Sequence, residues 1–423
     1  MQKLPALGST KTNTAKEITN DAHRLLSSPT FFSEMLCTLG RLGLVGEGRN
    51  AGVLYVAATS RVLSRPLNVI VKGRSSSGKN FLVNRVLTLF PKDSIREITS
   101  SSEHAWNYAK DDFKHRVVYL QERNEAAGNI HPARLLISEG KLIRIVTNND
   151  GGVYTTKRQV TEGPISCIST TTKNRLEMDD ETRNISLWID ESEEQTKRIA
   201  QSYFVSTGRP NTREVLIWKR AQRLIERRSG RLEVVIPAWF SQVADGVFAG
   251  DIRVRRYFGA FVEACRALAL IHSFRTNPAQ VPKRIEVDFA DFATAAILFE
   301  HVFVESLHLG DDKNLATRQA IVRWIKITKR TGMRAADLAK AMRITRHTAY
   351  ARLRRAVAAG MVKRVNTPEK GNLKLFALVP LPRFLPNPST IFSAIPRLGN
   401  RIEFVHPLTG AAVKFVRERL PRT

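Results

Sequence analysis

The sequence predicts an α/β protein whose core carries a phosphate-binding loop, prefaced by helices, covered by a helical lid and followed by a basic helix-turn-helix module with a wing. Three observations carry this expectation. The stretch LNVIVKGRSSSGKN, residues 67–80, runs from β-branched residues into a G-x-x-x-x-G-K loop and then into the helical pattern FLVNRVLTLF. Short apolar runs recur at RVVYL (116–120), PISCIS (164–169) and NISLWID (184–190), separated by helical or loop stretches, which is the rhythm of a largely parallel sheet. Residues 311–423 hold 24 Lys and Arg against 6 Asp and Glu, so this last quarter carries +18 of a formal +28.

Taken in order, Ala15 to Leu44 and Ala51 to Leu63 show helical periodicity with few breakers, and Pro66 separates this segment (1–65) from the first strand. The α/β core follows over 66–195. From 196 to 310 the pattern becomes long amphipathic helices, notably RVRRYFGAFVEACRALALIHSF and ADFATAAILFEHVFVESL, and predicts an all-helical lid. A basic module occupies 311–380, and a proline-rich tail with a hairpin, RIEFVHPLTGAAVKFV, closes the chain over 381–423. With 43% hydrophobic and 25% charged residues the composition is that of a globular protein. The charge balance points to a polyanion, of which nucleic acid is the commonest soluble kind. The three cysteines, Cys37, Cys167 and Cys265, have no zinc-ligand spacing and suit buried thiols in a reducing compartment. Neither the N-terminus nor any apolar run reads as a signal peptide or a membrane span, so a cytoplasmic, nucleoid-associated protein is expected.

The loop chemistry requires Gly73 and Gly78 for backbone freedom, so that the N–H groups of Ser75, Ser76, Ser77 and their neighbours can curl around phosphate oxygens. Lys79 reaches the terminal phosphates. ATP with Mg²⁺ is the expected pair of ligands. Asn80 departs from the usual Ser or Thr whose hydroxyl serves the metal, although an amide oxygen could coordinate in its place. In HRVVYLQERNEA, Glu122 stands where a carboxylate orienting the attacking water would be, while Gln121 takes the position of the metal-binding Asp. The run PISCISTTTKN ends in small polar residues, and Thr171 or Asn174 would meet the γ-phosphate or the water.

The order of LGLVGEGRNAGVLYVAATSRVLSRPLNVIVKGRSSSGKN, VVYLQE, ARLLISEGKLIR, GPISCISTTT, ETRNISLWIDESEEQT and RRYFGAFVEACRALALIHSFR resembles the ATPase part of phage- and mobile-element-encoded primase-helicase proteins. These are AAA+ ATPases similar to the minichromosome maintenance helicases. The resemblance covers roughly residues 20–380 and includes neither a zinc finger nor a toprim primase part, so primase activity is not implied. It implies that Gly73 to Asn80 is the Walker A loop, Gln121 and Glu122 the Walker B pair, and Asn174 or a neighbouring threonine the first sensor. Arg183 falls where an arginine finger acts across a subunit boundary, which implies a homo-hexameric ring, and Arg256, or alternatively Arg255, matches a second sensor. The alternation on both sides of Asn-Asp-Gly-Gly in RIVTNNDGGVYTTKRQVTEGP spells a β-hairpin. In the resembling helicases a hairpin at this place grips DNA, which would make Tyr154, Lys157 and Arg158 its contacts, one aromatic for a base and two cations for phosphate.

In the basic module, Ala335 to Met342 and Thr345 to Ala358 read as the two helices of a winged helix-turn-helix, joined at Arg343 and Ile344. Leu338, Ala339, Ile344, Ala349 and Leu353 would face inward, and Arg346, His347, Tyr350, Arg352 and Arg354 outward. Arg346 and His347, at the start of the second helix, are the best placed for duplex DNA, with Lys363, Arg364 and Lys374 on the wing against phosphate. Three activities fit these features: an ATP-driven DNA helicase or translocase replicating a phage or mobile element beside a possible separate primase, an ATP-binding switch assembled on DNA with little turnover, and a DNA-binding regulator with a vestigial ATPase core.

Overall fold

The computed structural model describes residues 7–98, 113–121, 130–150, 153–173, 176–204, 212–275, 282–308, 312–358, 360–366, 374–380 and 383–417. The chain divides into two compact units, one comprising Met1–Val247, Ile252–Glu300 and Leu385–Thr423, the other Phe248–Asp251 and His301–Phe384.

The first unit is built on a five-stranded parallel sheet: β1 (Val69–Lys72), β2 (Ile95–Ile98), β3 (Arg116–Leu120), β6 (Ile165–Thr171) and β7 (Ile185–Trp188), in the order β2-β3-β6-β1-β7. The strands β4 (Lys141–Asp150) and β5 (Val153–Glu162) form a separate antiparallel hairpin between β3 and β6 in the chain. β1 and β6 are buried throughout, as their near-continuous apolar runs require of strands covered on both faces. Lys72 pairs with Thr171 on one side and Trp188 on the other, so three strands end level at one edge of the sheet. The edge strand β2 escapes sequence reading because IREI is short and half polar.

The helical preface consists of α1 (Leu7–Ser27), α2 (Phe31–Arg41) and α3 (Gly48–Thr59). The expected continuous run from Ala15 to Leu44 is broken at Ser28, Pro29 and Thr30, where both hydroxyls donate to Glu34, at 2.6 and 2.7 Å. Helix α4 (Lys79–Leu87) follows the loop, and α5 (Ile130–Glu139), α6 (Met178–Arg183), α7 (Glu193–Ser202) and α8 (Thr212–Ser229) follow in turn. Helix α8 lies against the preface: Arg213 bonds Asp21 at 2.8 Å, Arg220 bonds Thr19 at 3.0 Å, and Trp218 packs edge-on to Phe31 and Tyr55. The buried Arg61 guanidinium donates to Gln222 of α8 at 2.9 Å, and burial lowers its pKa to about 10.

The expected all-helical lid is not all helix. Besides α9 (Phe240–Asp245), α10 (Val254–His272) and α11 (Phe289–His308), this region pairs β8 (Glu233–Val235) with β9 (Arg284–Glu286) in parallel. The segments RLEVV and RIEV alternate over too few residues to stand out between long helices.

In the second unit, α12 (Asp312–Thr328), α13 (Ala335–Met342) and α14 (Arg346–Ala358) precede the antiparallel strands β10 (Val362–Asn366) and β11 (Lys374–Leu378), and Met333 adds a bridge to Phe376. Its core joins Ile321, Leu338, Ala349, Leu353, Val362 and Phe376, with Ala339 and Ile344 partly buried against it. The tail belongs to the first unit, where α15 (Pro388–Ala394) and the hairpin β12 (Arg401–Val405) and β13 (Ala412–Val416) bring Phe392 and Phe415 onto Phe289.

Candidate functional site

The loop connecting β1 to α4 sits at the carboxyl edge of the sheet, between the ends of β6 and β7, where open α/β sheets bind ligands. Gly78 caps α4 at φ +93° and Ser76 lies at φ +64°, so the loop curls in the left-handed region twice within three residues. A Cβ on Gly73 would lie 2.6 Å from Ser77 Oγ and 3.2 Å from Glu191 Oε1, so any larger residue there must displace the Ser77 hydroxyl. Lys79 is 7% exposed and its Nζ donates to the carbonyls of Gly73 and Arg74 at 2.8 and 2.6 Å. On the opposite face of the same turn, Glu191 accepts the Arg74 N–H at 2.6 Å and pairs with the Arg74 guanidinium at 3.3 Å.

Two polar atoms of this loop, Ser77 Oγ and Asn80 Oδ1, are buried without a hydrogen-bond partner. Such groups cost stability unless something satisfies them. An acceptor amide and a hydroxyl beside a lysine and a turn of backbone N–H groups form a donor and acceptor set that fits a phosphate with its divalent cation.

The neighbouring strand ends meet the expectations unevenly. Thr171 is buried beside Lys72, and its Oγ1 accepts the Lys173 N–H at 3.1 Å. Gln121 lies at the end of β3, but its side-chain amide donates to Glu97 of β2, away from the loop. Glu122 and Asn174 lie outside the described residues.

Helix α6 gathers the arginines that the sequence singled out, and with them residues that it did not. Arg183 donates to Ser138 Oγ at 2.9 Å and to the Asp179 carbonyl at 2.7 Å, so it packs against its own chain. Arg256, at the start of α10, donates to Thr182 Oγ1; Arg255 beside it is exposed. The buried ammonium of Lys72 meets Glu181 and lies 5.1 Å from the centre of the Trp188 ring. Asp180 receives Arg134 in a fork at 2.7 and 2.6 Å, and this pairing raises the arginine's pKa above its usual value. Lys72, Arg134, Asp180, Glu181 and Glu191 were missed in the sequence because a charged residue in an apolar or mixed run reads as solvated surface. The one usable signal was Lys72 itself, a lysine closing a buried strand.

The hairpin runs ten pairs long, from Lys141 opposite Glu162 to Asp150 opposite Val153. In its register Tyr154 stands opposite Asn149, Lys157 opposite Val146 and Arg158 opposite Ile145. The Tyr154 and Lys157 side chains lie outside the described residues; Arg158 is exposed, and the same face carries exposed Ile143, Ile145 and Val160.

In the second unit Thr345 caps α14 by accepting the Thr348 N–H at 3.2 Å, and Arg346, His347 and Arg354 stand exposed. Tyr350 and Arg352, expected to face outward, are half-buried. Tyr350 packs edge-on to Phe376 and accepts from Arg364 at 2.8 Å, and the Arg352 guanidinium lies 3.9 Å from Met342 Sδ. The Tyr350 ring lies on the flank of the core. Lys363 is exposed; the Lys374 side chain lies outside the described residues.

No protein-family model matches the chain, and no curated protein matches it. Among solved structures it is similar to a full-length MCM homolog from Methanopyrus kandleri, at 12% identity and a TM-score of 0.42 over 70% of this chain and 62% of that one. The match thus spans less than two thirds of that protein. Among the described residues no helix is long and apolar enough to cross a membrane.

Proposed function

We propose that the chain is an ATP-dependent DNA helicase or translocase of the AAA+ class, acting as a homo-hexameric ring in replication of a phage or mobile element. The observation that carries this reading is the phosphate loop, with Ser77 Oγ and Asn80 Oδ1 buried and unsatisfied beside Lys79 at the carboxyl edge of a parallel sheet. Lys79 and the loop N–H groups would hold the phosphates, and Asn80 would offer its amide oxygen to Mg²⁺. The cation supplies charge neutralisation at the phosphates when bound. Glu122 would orient water, Thr171 or Asn174 would touch the γ-phosphate, and Arg256 would read the nucleotide from α10. Arg183 would serve the neighbouring subunit, which requires its bonds to Ser138 and Asp179 to open on assembly. The hairpin residues Tyr154 and Arg158 would meet single-stranded DNA. The second unit, a winged helix in this reading, would meet duplex through Arg346, His347 and Lys363, supported by the charge concentrated there.

A second reading, an ATP-gated DNA-binding switch with little turnover, draws on one specific contact. Asn80 and Gln121 are amides, so neither metal-side position offers a carboxylate, and the Gln121 amide is engaged by Glu97 rather than by the loop. Steady-state hydrolysis with Mg²⁺, with and without single-stranded DNA, separates the two readings. Turnover that DNA stimulates and Glu122→Gln abolishes supports the motor; tight ATP binding without turnover supports the switch.

A further inference from the structure

The phosphate loop and the hairpin are connected by consecutive charge pairs that pass through α6. Lys72, the residue immediately before Gly73, is 1% exposed, and its ammonium is held by Glu181. The same carboxylate accepts the Leu176 N–H at 2.9 Å and the Ser186 hydroxyl at 3.1 Å, so it is fixed from three directions. One residue earlier, Asp180, also 1% exposed, takes the Arg134 fork, and Glu177 takes the same guanidinium at 2.6 Å.

Arg134 lies in the middle of α5, so the Asp180 fork joins that helix to α6. Helix α5 ends at Glu139, and Gly140, at φ +65°, turns the chain directly into β4. The Gly163 N–H at the end of β5 donates to the Gly140 carbonyl at 2.8 Å, and a Cβ on Gly163 would stand 2.8 Å from that oxygen. Both arms of the hairpin therefore root at one close backbone contact at the end of α5.

This six-residue helix is tied at consecutive residues to the end of β1 and to α5, through ion pairs in which Lys72 and Asp180 are the buried members, so the three elements are joined to move together. We propose that α6 couples the two sites, so that nucleotide at the loop and single-stranded nucleic acid at the hairpin change each other's affinity, with Arg134 and Asp180 as positioning residues. This rests on the reading of the loop as a nucleotide site and of the hairpin as a nucleic-acid contact. Neither residue touches either ligand. They act through the helices that they join, and the coupling they carry is reciprocal by thermodynamic necessity.

The test uses the full chain, the slowly hydrolysed analogue ATPγS, and a fluorescent oligothymidylate. The analogue's affinity is measured first, alone, in the native chain and in Lys79→Ala. No binding, or binding that Lys79→Ala leaves unchanged, overturns the loop reading and this proposal with it, before any oligonucleotide is added. Each affinity is then measured with and without the other ligand. The native chain is expected to show a coupling factor of about tenfold, within the usual span of such couplings. In Arg134→Gln with Asp180→Asn, which removes both charges and strands neither, the factor should fall to within about twofold of unity while each ligand alone binds as before. Arg134→Lys, which keeps the charge but not the fork, should give a factor between the two. A native chain that binds both ligands with no coupling overturns the proposal. So does a double variant that retains the native factor, including one in which melting temperature and both affinities drop in parallel, since that marks a purely structural pair.

Discussion

Replacing Lys79 with Ala should remove most of the stabilisation that ATP confers, by an amount that the loop geometry sets. The ammonium is already engaged, donating to the Gly73 and Arg74 carbonyls at 2.8 and 2.6 Å. Phosphate must be exchanged for these bonds, so the lysine's net worth is a difference between two charged sets and falls near the middle of the range for hydrogen bonds to charged groups, about 2 kcal/mol. That corresponds to a roughly 30-fold weaker Kd. At an ATP concentration of about 100 times the native Kd, linkage stabilises the native chain by about 2.7 kcal/mol and the variant by about 0.9 kcal/mol. With about 2–4 °C per kcal/mol for a unit of this size, the ATP-induced rise in Tm falls from about 5–11 °C to about 2–4 °C. Thermal melts across an ATP titration with Mg²⁺ measure this, comparing only the ligand-induced increment, since the substitution also changes the unliganded Tm. An equal increment in both chains would refute the assignment of Lys79 to phosphate.

Three further outcomes are expected. Arg158 is exposed on the hairpin, so Arg158→Ala should reduce the salt slope of single-strand binding by about 1; an unchanged slope would place the hairpin away from DNA. Leu353→Ala, at a fully buried position, should destabilise the second unit by about 2–5 kcal/mol and weaken duplex binding without altering the ATP-induced shift. Native duplex affinity in a variant whose second unit has unfolded would place the duplex contact elsewhere. Burial drives Asp291 up to about 7 and lowers its partner His272 to about 3, and burial followed by the Asp291 charge raises Asp288 to about 6. The aspartates' contribution is present below their ordinary 3.8 and lost as pH rises through about 6 and 7; the histidine's is present above 6.5 and lost as pH falls toward 3. Between these limits the slopes oppose, so His272→Asn should make stability fall more steeply with rising pH than in the native chain; urea midpoints that run parallel across this window would contradict it.

The core strands were legible because β-branched runs flanked by breakers leave few alternatives, and RVVYL emerges as β3 without a shift of boundary. The two helices of the second unit were legible for the same kind of reason: Leu338, Ala349 and Leu353 recur at helical spacing and are buried together. What periodicity cannot show is a charge that turns inward. Placing the apolar positions inward leaves Tyr350 and Arg352 to the outer face, yet both are half-buried, since a ring and a long aliphatic stem cover apolar surface as readily as they reach solvent. Lys72, Asp180 and Arg134 were hidden for the converse reason, since ion pairs between distant segments leave no periodic trace in either one.

The two departures from the usual metal positions have different physical standing. Asn80 keeps an oxygen buried, unsatisfied and within the loop, so an amide can replace a hydroxyl there at little cost to a cation already held by phosphate and water. Gln121 is different, because its amide is turned to the exposed Glu97 carboxylate of β2 at the sheet edge, away from the loop. A metal at this loop would therefore depend on Asn80 and the phosphates rather than on β3, and substitution at the two positions should not be equivalent. Asn80→Ala should raise the Mg²⁺ concentration needed for half-maximal ATP binding, whereas Gln121→Ala should leave it near the native value. Equal shifts would mean that the Gln121–Glu97 bond opens when nucleotide binds, and would return Gln121 to the metal side of the site.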